Sequence, residues 1–196
     1  MIKGIRVESN PKNLSLDNVM RVEELSWPLE IRASREKFQK RYELFPQGFV
    51  VAYIDEKMVG VATSEIINYD PKKPPTSWYD ITDNGWIEKT HNPKGNAMYG
   101  VSAGTYVDGV GYHLVQELIQ VAKNLGLQYL VGGIRTPGYS KYEEKMSIDD
   151  YVKTDLDPDI KFFRRNGFEV NKIVKDYMFD DDESSGYGVV MHIKFF

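Results

Sequence analysis

The sequence contains no cysteine among its 196 residues. A chain without thiols forms no disulfide, has no cysteine nucleophile and gives a metal no thiolate ligand. Histidine is also scarce, since the chain holds only His91, His113 and His192, and their positions do not follow a metal-binding spacing. We therefore expect no metal cofactor.

The sequence also lacks a basic surplus and long apolar runs. Its 25 Lys and Arg residues face 29 Asp and Glu residues, a net charge of −4, which argues against a general nucleic-acid binder. No apolar run approaches the ~20 residues of a membrane span, and the first ten residues lack the apolar core of a signal peptide. We expect a cytoplasmic protein with one domain over residues 1–196 and with neither a nucleic-acid nor a membrane partner.

A strand, a glycine-bearing loop and a helix are predicted between residues 97 and 126. Residues 97–103 are apolar and small, and residues 110–125 place apolar side chains at helical spacing. Gly126 stands where a helix ends. Gly109 and Gly111 open the helix, and the free N–H groups of a helix start favour a phosphate. Taken alone, two glycines favour a plain turn over a phosphate site.

The rest of the chain continues the alternation of strands and helices. Six further strands are expected at residues 2–8, 49–54, 58–67, 127–134, 168–176 and 188–196, and three further helices at 16–27, 34–44 and 159–166. The strand, helix and strand at 97–134 form a βαβ unit with parallel strands. We predict an α/β fold with a mixed sheet and helices on both of its faces.

Two connections are unusually long. Residues 68–96 combine prolines and glycines with Tyr69, Trp78, Tyr79 and Trp86, and residues 135–157 form a second long segment. A connection of this length is usually functional or disordered, and aromatic residues argue against disorder. We interpret residues 68–96 as a packed segment over a site, although a flap that only covers the core fits equally well.

The order of elements and two short motifs resemble the GNAT superfamily of acyl-CoA-dependent N-acyltransferases. Residues 106–111, YVDGVG, occupy the slot of the family's pyrophosphate loop, and residues 162–168, FFRRNGF, match its aromatic–basic–Gly-Phe motif. More narrowly, residues 29–60 and the stretches TSWYDITDNGWIEKTHNP and GGIRTPGY resemble the GNAT-type domain that is fused to nitrilase-like carbon–nitrogen hydrolases. The resemblance implies a mostly antiparallel sheet of about seven strands.

The resemblance also implies transfer of an acetyl group from acetyl-CoA to a primary amine by direct attack. The expected CoA-binding residues are Val101, Ser102, Ala103, Tyr106, Val107, Asp108, Gly109, Val110, Gly111, Tyr112 and Phe163. The chain departs from the family pattern at Tyr106, where Arg or Gln is usual, at Asp108, often Lys or Arg, and at Phe163, where a tyrosine often serves as general acid. A small-molecule or protein amine is the expected acceptor, with its identity open, and a homodimer is compatible with the sequence.

The chemistry requires a general base, because an amine is mostly charged near neutral pH. Glu65 and Glu143 are the candidates for the base, although each also fits an ordinary surface carboxylate. Parallel strands open a crevice at their carboxyl ends, so Arg135 and Tyr139 are expected near the thioester. Tyr139 is the candidate substitute for the missing acid, with a packed core role as its alternative.

Two other functions fit parts of the sequence. Residues 100–104, GVSAG, match the G-x-S-x-G motif of serine hydrolases, and Asp176 and His192 follow Ser102 in the order of a triad. Against this, the helical pattern begins several residues after Ser102 rather than directly after it. The changes at the loop and at Phe163 also fit a non-catalytic module that binds CoA or a partner protein.

Overall fold

The computed structural model describes residues 4–196. Within them, seven strands form one sheet: β1 (Ile5–Ser9), β2 (Phe49–Ile54), β3 (Lys57–Ile67), β4 (Ala97–Thr105), β5 (Tyr129–Arg135), β6 (Glu169–Val174) and β7 (Gly188–Lys194). Their order across the sheet is β1-β2-β3-β4-β5-β7-β6. The pair β4–β5 is parallel, and the other neighbouring pairs are antiparallel. The predicted mixed sheet is confirmed.

Six α-helices connect the strands in the described residues: α1 (Leu16–Ser26), α2 (Arg35–Leu44), α3 (Trp78–Ile81), α4 (Val110–Asn124), α5 (Ile148–Lys153) and α6 (Pro158–Arg165). Short 3₁₀ segments lie at Leu29–Ile31, Pro46–Gly48, Tyr139–Lys141 and Asp182–Ser184. Side-chain oxygens of Ser15 and Ser34 accept from the first turns of α1 and α2, as N-caps do. Gly126, just beyond α4, has a φ of +68°, which glycine adopts without strain.

The helices bury apolar stripes on both faces of the sheet. On one face, α4, α5 and α6 pack against the sheet, with Leu114, Tyr151 and Ile160 fully buried. On the other face, Val19 of α1 and Phe38 of α2 cover β2 and β3. The remaining area of that face, over β4, β5 and β7, is covered by residues 68–96 and by the β6–β7 connection. The prediction of helices on both faces is therefore confirmed.

The sequence prediction missed two helices, α3 and α5. They have four and six residues and lie inside the two long connections. Helices this short contain too few turns to show an apolar period, which is why the pattern did not reveal them. The predicted strand at 2–8 begins at Ile5 in the structure, and residues 2–3 of that prediction lie outside the described residues.

Candidate active site

The parallel strands β4 and β5 separate half-way along their length. Their pairing runs only from Ala97 opposite Tyr129 to Gly100 opposite Gly132, although β4 continues to Thr105 and β5 to Arg135. A cavity of about 320 Å³ lies at the opening and is lined by residues 100–103 of β4 and 130–135 of β5. An extended ligand can pair with such unpaired main-chain edges.

Side chains from three other parts of the chain complete the cavity. The α1–α2 region provides Glu23, Trp27, Arg32, Lys37 and Arg41, the 68–96 connection provides Trp78, Tyr79 and Asn84, and α6 provides Asp159, Phe162 and Phe163. The connection is packed, because Ile87 is fully buried and the Trp78 indole N–H donates to the Val101 carbonyl at 3.0 Å.

A β-bulge shapes the β4 wall of the cavity. Ser64 of β3 pairs with Gly100 and Thr63 pairs with Ser102, so Val101 is an extra residue in β4. Bulges redirect the side chains that follow them and are frequent beside active sites. The Ser102 hydroxyl contacts the Thr63 hydroxyl at 3.0 Å and accepts from Arg41 Nη1 at 3.1 Å.

The loop after β4 leads into an uncapped helix. Gly109 has a φ of +83°, and no side chain caps the first turn of the 15-residue helix α4. The loop is held by Thr105 Oγ1, which accepts from the Val107 N–H at 3.2 Å, and by Tyr106, whose hydroxyl donates to the Met58 carbonyl. The open N–H groups of such a helix start suit an anion.

Comparisons with known proteins decide the family. No family model matches the sequence. Two solved structures have a TM-score of 0.81: the GphF GNAT-like decarboxylase in complex with isobutyryl-CoA, at 22% identity over 97% of this chain and 98% of that one, and the loading GNATL domain of CurA from Lyngbya majuscula, at 18% identity over 97% and 96%. At such identities the likeness concerns the fold.

By sequence, the chain is 32% identical over 177 residues to YkwB of Bacillus subtilis (strain 168), an uncharacterized N-acetyltransferase, and the match covers 86% of this chain and 77% of YkwB. The chain belongs to the GNAT superfamily.

A second relative is longer than this GNAT chain. YhcX of Bacillus subtilis (strain 168), a probable hydrolase, is 30% identical over 191 residues, which is 93% of this chain but 37% of YhcX. More distant in structure, Naa50 of Arabidopsis thaliana in complex with the bisubstrate analogue CoA-Ac-MVNAL has a TM-score of 0.58 and 12% identity over 98% of this chain and 99% of that one.

The cavity brings together some of the expected CoA-binding residues of this GNAT chain. Val101, Ser102, Ala103, Gly111 and Phe163 line it. The other six lie along the loop and the first turn of α4, outside the cavity wall: Tyr106, Val107, Asp108, Gly109, Val110 and Tyr112. The Val110 side chain is fully buried in the core, and its N–H donates to the Val107 carbonyl at 3.3 Å.

The carboxyl groups at the cavity have altered acidities. Burial raises the pKa of Glu23, although its Oε1 accepts from the Ala33 N–H at 2.7 Å. Burial, together with the neighbouring Asp157, raises the pKa of Asp159 to about 6. Carboxyl groups of raised pKa in a cavity are frequent at functional sites. Lys37 also lines the cavity, and burial lowers its pKa.

Glu65, an expected base, lies inside the protein rather than at the cavity. Its side chain is fully buried on β3 opposite Tyr99, and neither carboxyl oxygen has a hydrogen-bond partner. Burial raises the pKa of Glu65 to about 8, so the group is mainly protonated at neutral pH. A protonated carboxyl group outside the cavity is not in position to take a proton from an amine.

Tyr139 and Glu143 also lie away from the cavity wall, whereas Arg135 is part of it. The Tyr139 ring packs against Tyr151 and Tyr187, with ring centroids 5.2 and 5.6 Å apart, and its hydroxyl donates to the Met146 carbonyl. Tyr139 is therefore a packed core residue, which was the alternative to its expected role as the general acid. Glu143 accepts a hydrogen bond from the Ser185 hydroxyl at the surface.

The structure does not assemble the serine-hydrolase triad. The Ser102 hydroxyl is engaged by Arg41 and Thr63, whereas His192 Nδ1 bonds to the Tyr69 hydroxyl at 2.8 Å. Ser102 also lies within β4, which continues to Thr105 before the loop, so the sharp strand-to-helix turn of a nucleophile elbow is absent here. The hypothesis that residues 100–104 form a serine-hydrolase motif was wrong.

Sequence reasoning missed the charged residues that α1 and α2 contribute. Glu23 lies four residues after Val19, and Arg41 lies three residues after Phe38, so each stands on the buried stripe of its helix. A charged residue on an apolar stripe was the available signal, because ordinary helices keep charges on the opposite face. Nothing in the sequence pattern indicates that both side chains line one cavity.

Among residues 4–196, no helix is long and apolar enough to cross a bilayer. In the same part of the chain, no three His, Asp or Glu side chains are grouped in a way that would hold a metal ion.

Proposed function

We propose that this protein transfers an acyl group, in the first place acetyl, from acyl-CoA to a primary amine. The observation that carries the proposal is the separation of β4 from β5, with a cavity of about 320 Å³ between them and the uncapped α4 at one end. In this proposal the pyrophosphate of CoA binds the N–H groups at the start of α4. The pantetheine arm pairs with the free edge of β4, and the thioester lies beside Val101 and Ser102.

We assign the general base to Glu23. It lines the cavity, it is almost fully buried and burial raises its pKa toward the range in which a base works best. A lysine-like amine with a pKa of ~10.4 must lose a proton before it attacks the thioester carbon. Glu23, directly or through water, takes that proton, and the amine nitrogen then bonds to the carbonyl carbon as the C–S bond breaks.

The leaving thiolate needs no dedicated acid in this scheme. Phe163 stands at the cavity where a proton donor is often found, and a phenyl ring cannot donate. Because a thiol has a pKa near ~8.5, the thiolate leaves more readily than an alkoxide or an amine would. A main-chain N–H of Val101 or Ser102 stabilises the developing oxyanion.

A second candidate is decarboxylation of a carboxylated acyl-CoA. It is supported by the higher TM-score to the GNAT-like decarboxylase, 0.81, than to Naa50, 0.58. The two reactions differ in their products, because acyl transfer releases free CoA, whereas decarboxylation releases carbon dioxide and keeps the thioester.

Release of thiol from acetyl-CoA, measured with a panel of primary amines, tests the main proposal. We expect amine-dependent thiol release and a product heavier than the amine by one acetyl group. Glu23→Gln should slow the reaction by ~10²–10⁴-fold, the usual contribution of a general base, and CoA affinity should change little. Carbon dioxide release from malonyl-CoA without thiol would favour the decarboxylase. CoA binding without either reaction would favour a binding module.

A further inference from the structure

Arg41 is a buried cation that no carboxylate of the described chain neutralises directly. Its side chain on α2 is 1% exposed, and the guanidinium donates to three neutral oxygens: the Gly85 carbonyl at 2.7 Å, Ser102 Oγ at 3.1 Å and Thr63 Oγ1 at 3.2 Å. Buried charges in proteins are normally paired, because removing a charge from water is costly. Burial lowers the pKa of Arg41 to about 10, so it remains charged at neutral pH.

Neither of the two carboxyl groups that act electrostatically on Arg41 forms a salt bridge with it. Glu23 and Glu65 act on Arg41 only through space, without a salt bridge, and burial raises the pKa of both, that of Glu65 to about 8. Glu23 is also bonded to the Ala33 N–H. The site therefore has a guanidinium surrounded by hydroxyl and carbonyl dipoles.

The guanidinium also has donors that the described residues leave unused. Arginine has five N–H donors in a planar fork, and the three bonds involve Nε and Nη1, with none from Nη2. Nη2 lies close to Gly85, where a Cβ would stand 2.5 Å from it, and the Arg41 side chain lines the cavity. The two unused N–H groups of Nη2 suit a carboxylate oxygen, because a hydrogen bond between two charged groups is stronger than one between neutral groups.

Arg41 and Ser102 both line the cavity, and the proposed function places the thioester beside Ser102. A group held by these two side chains would therefore lie next to the reacting carbonyl carbon. On that basis, we propose that Arg41 and Ser102 bind a carboxylate of the substrate, and that the acceptor is an amine carrying a carboxylate, as an amino acid does. The inference rests on the proposed function for the position of the thioester.

Matched pairs of amines test the carboxylate site. Each amino acid is compared with the amine that lacks its carboxyl group, for example glycine with methylamine and alanine with ethylamine. We expect kcat/KM to favour the amino acid by about tenfold or more, the effect of a charge-assisted hydrogen bond. In Arg41→Gln the preference should fall below about twofold, and in Arg41→Lys, which keeps the charge without the fork, it should be intermediate.

A purely structural Arg41 would change the rates with both members of a pair equally. An absence of preference in the wild type, or an unchanged preference in a folded Arg41→Gln, overturns the proposal. If that variant does not fold, the wild-type preference and Arg41→Lys decide. Malonyl-CoA compared with acetyl-CoA examines the other source of a carboxylate, the acyl group, and an Arg41-dependent preference there supports the site but assigns it to the acyl chain.

A direct binding measurement separates this inference from the proposed function. Malonate is titrated calorimetrically into the CoA-loaded wild type and Arg41→Lys. Saturable binding that weakens about tenfold or more in the variant supports the site even if no amine is acylated. The site is rejected if malonate binds both proteins equally or shows no saturable binding, and if the wild type also shows no preference for amino acids. Failure to bind CoA at all would instead contradict the proposed function.

Discussion

At the scale of single residues, burial changes the acidity of several carboxyl groups. Glu65 is the clearest case, since its carboxyl group is enclosed without a hydrogen-bond partner and its pKa is raised to about 8 by burial. The usual pKa of a glutamate in an unfolded chain is near ~4.3. Between these values the folded protein keeps a proton that the unfolded chain releases.

This difference predicts a pH-dependent loss of stability. Because the folded state binds more protons than the unfolded state, the free energy of unfolding falls as the pH rises from about 5 to 8, by up to ~1.4 kcal/mol per pH unit. Glu65→Gln stays neutral, so it should become more stable than the wild type across this range. Urea unfolding at pH 5 and pH 8 measures the difference, with Glu144→Gln as an exposed control. Parallel pH curves for wild type and Glu65→Gln would contradict the assignment.

The close packing around Gly104 of β4 predicts an effect on stability. A Cβ at this position of β4 would stand 2.6 Å from Trp27 Nε1 and 3.0 Å from Ser26 Cβ, whereas a Cβ at Gly100 of the same strand would meet only the Val131 carbonyl at 3.8 Å. Gly104→Ala should therefore cost ~1–3 kcal/mol of unfolding free energy, as overpacking does. Gly100→Ala is the matched control. Equal stability of both variants in urea would show that Trp27 does not pack as closely as the structure indicates.

At the scale of elements, local signals predicted most of the fold. The helices α1, α2, α4 and α6 follow caps, glycines and apolar periods that lie within each segment, and they were predicted within one or two residues. The site was only partly predictable. Arg41 contacts Thr63 and Ser102, which lie 22 and 61 positions further along the chain. The bulge at Val101 depends on the pairing of β4 with β3. Such long-range contacts leave no periodic pattern in the sequence.

The proposed phosphate site at the start of α4 can be tested with two substitutions that have the same size but differ in charge. Gly109 has a φ of +83°, so Gly109→Glu and Gly109→Gln carry the same backbone strain. The glutamate should favour folding slightly, because a negative charge suits a helix start. It should nevertheless weaken CoA binding by at least about tenfold relative to the glutamine, since it repels the pyrophosphate. Equal CoA affinity of the two folded variants in calorimetry would contradict binding of the pyrophosphate at this loop.

The 68–96 connection is expected to border the acceptor rather than CoA. Its Tyr79 lines the cavity and donates a hydrogen bond to Asp180 of the β6–β7 connection, which also lines the cavity. Tyr79→Phe loosens this link between two walls, so it should raise KM for the amine several-fold, while the affinity for CoA stays within about twofold. Steady-state kinetics and calorimetry report the two quantities separately. An equal loss of both would place this wall at the CoA site.

At the scale of the whole molecule, one sheet carries both halves of the proposed chemistry. The separation of β4 from β5 opens the sheet, α4 closes one end of the opening, and the α1–α2 region and residues 68–96 cover the other. Glu23, Lys37 and Arg41 line the opening from the α1–α2 side, and the loop that we propose to bind the phosphate lies at the α4 end. We therefore predict that CoA and the amine approach the opening from different sides.

A crystal structure of the protein with CoA tests this arrangement most directly. We expect density for the pyrophosphate at residues 109–111, for the pantetheine arm along residues 101–103, and for the sulfur in the opening between β4 and β5. CoA density at another surface, or no density at a saturating concentration of CoA, would contradict this arrangement.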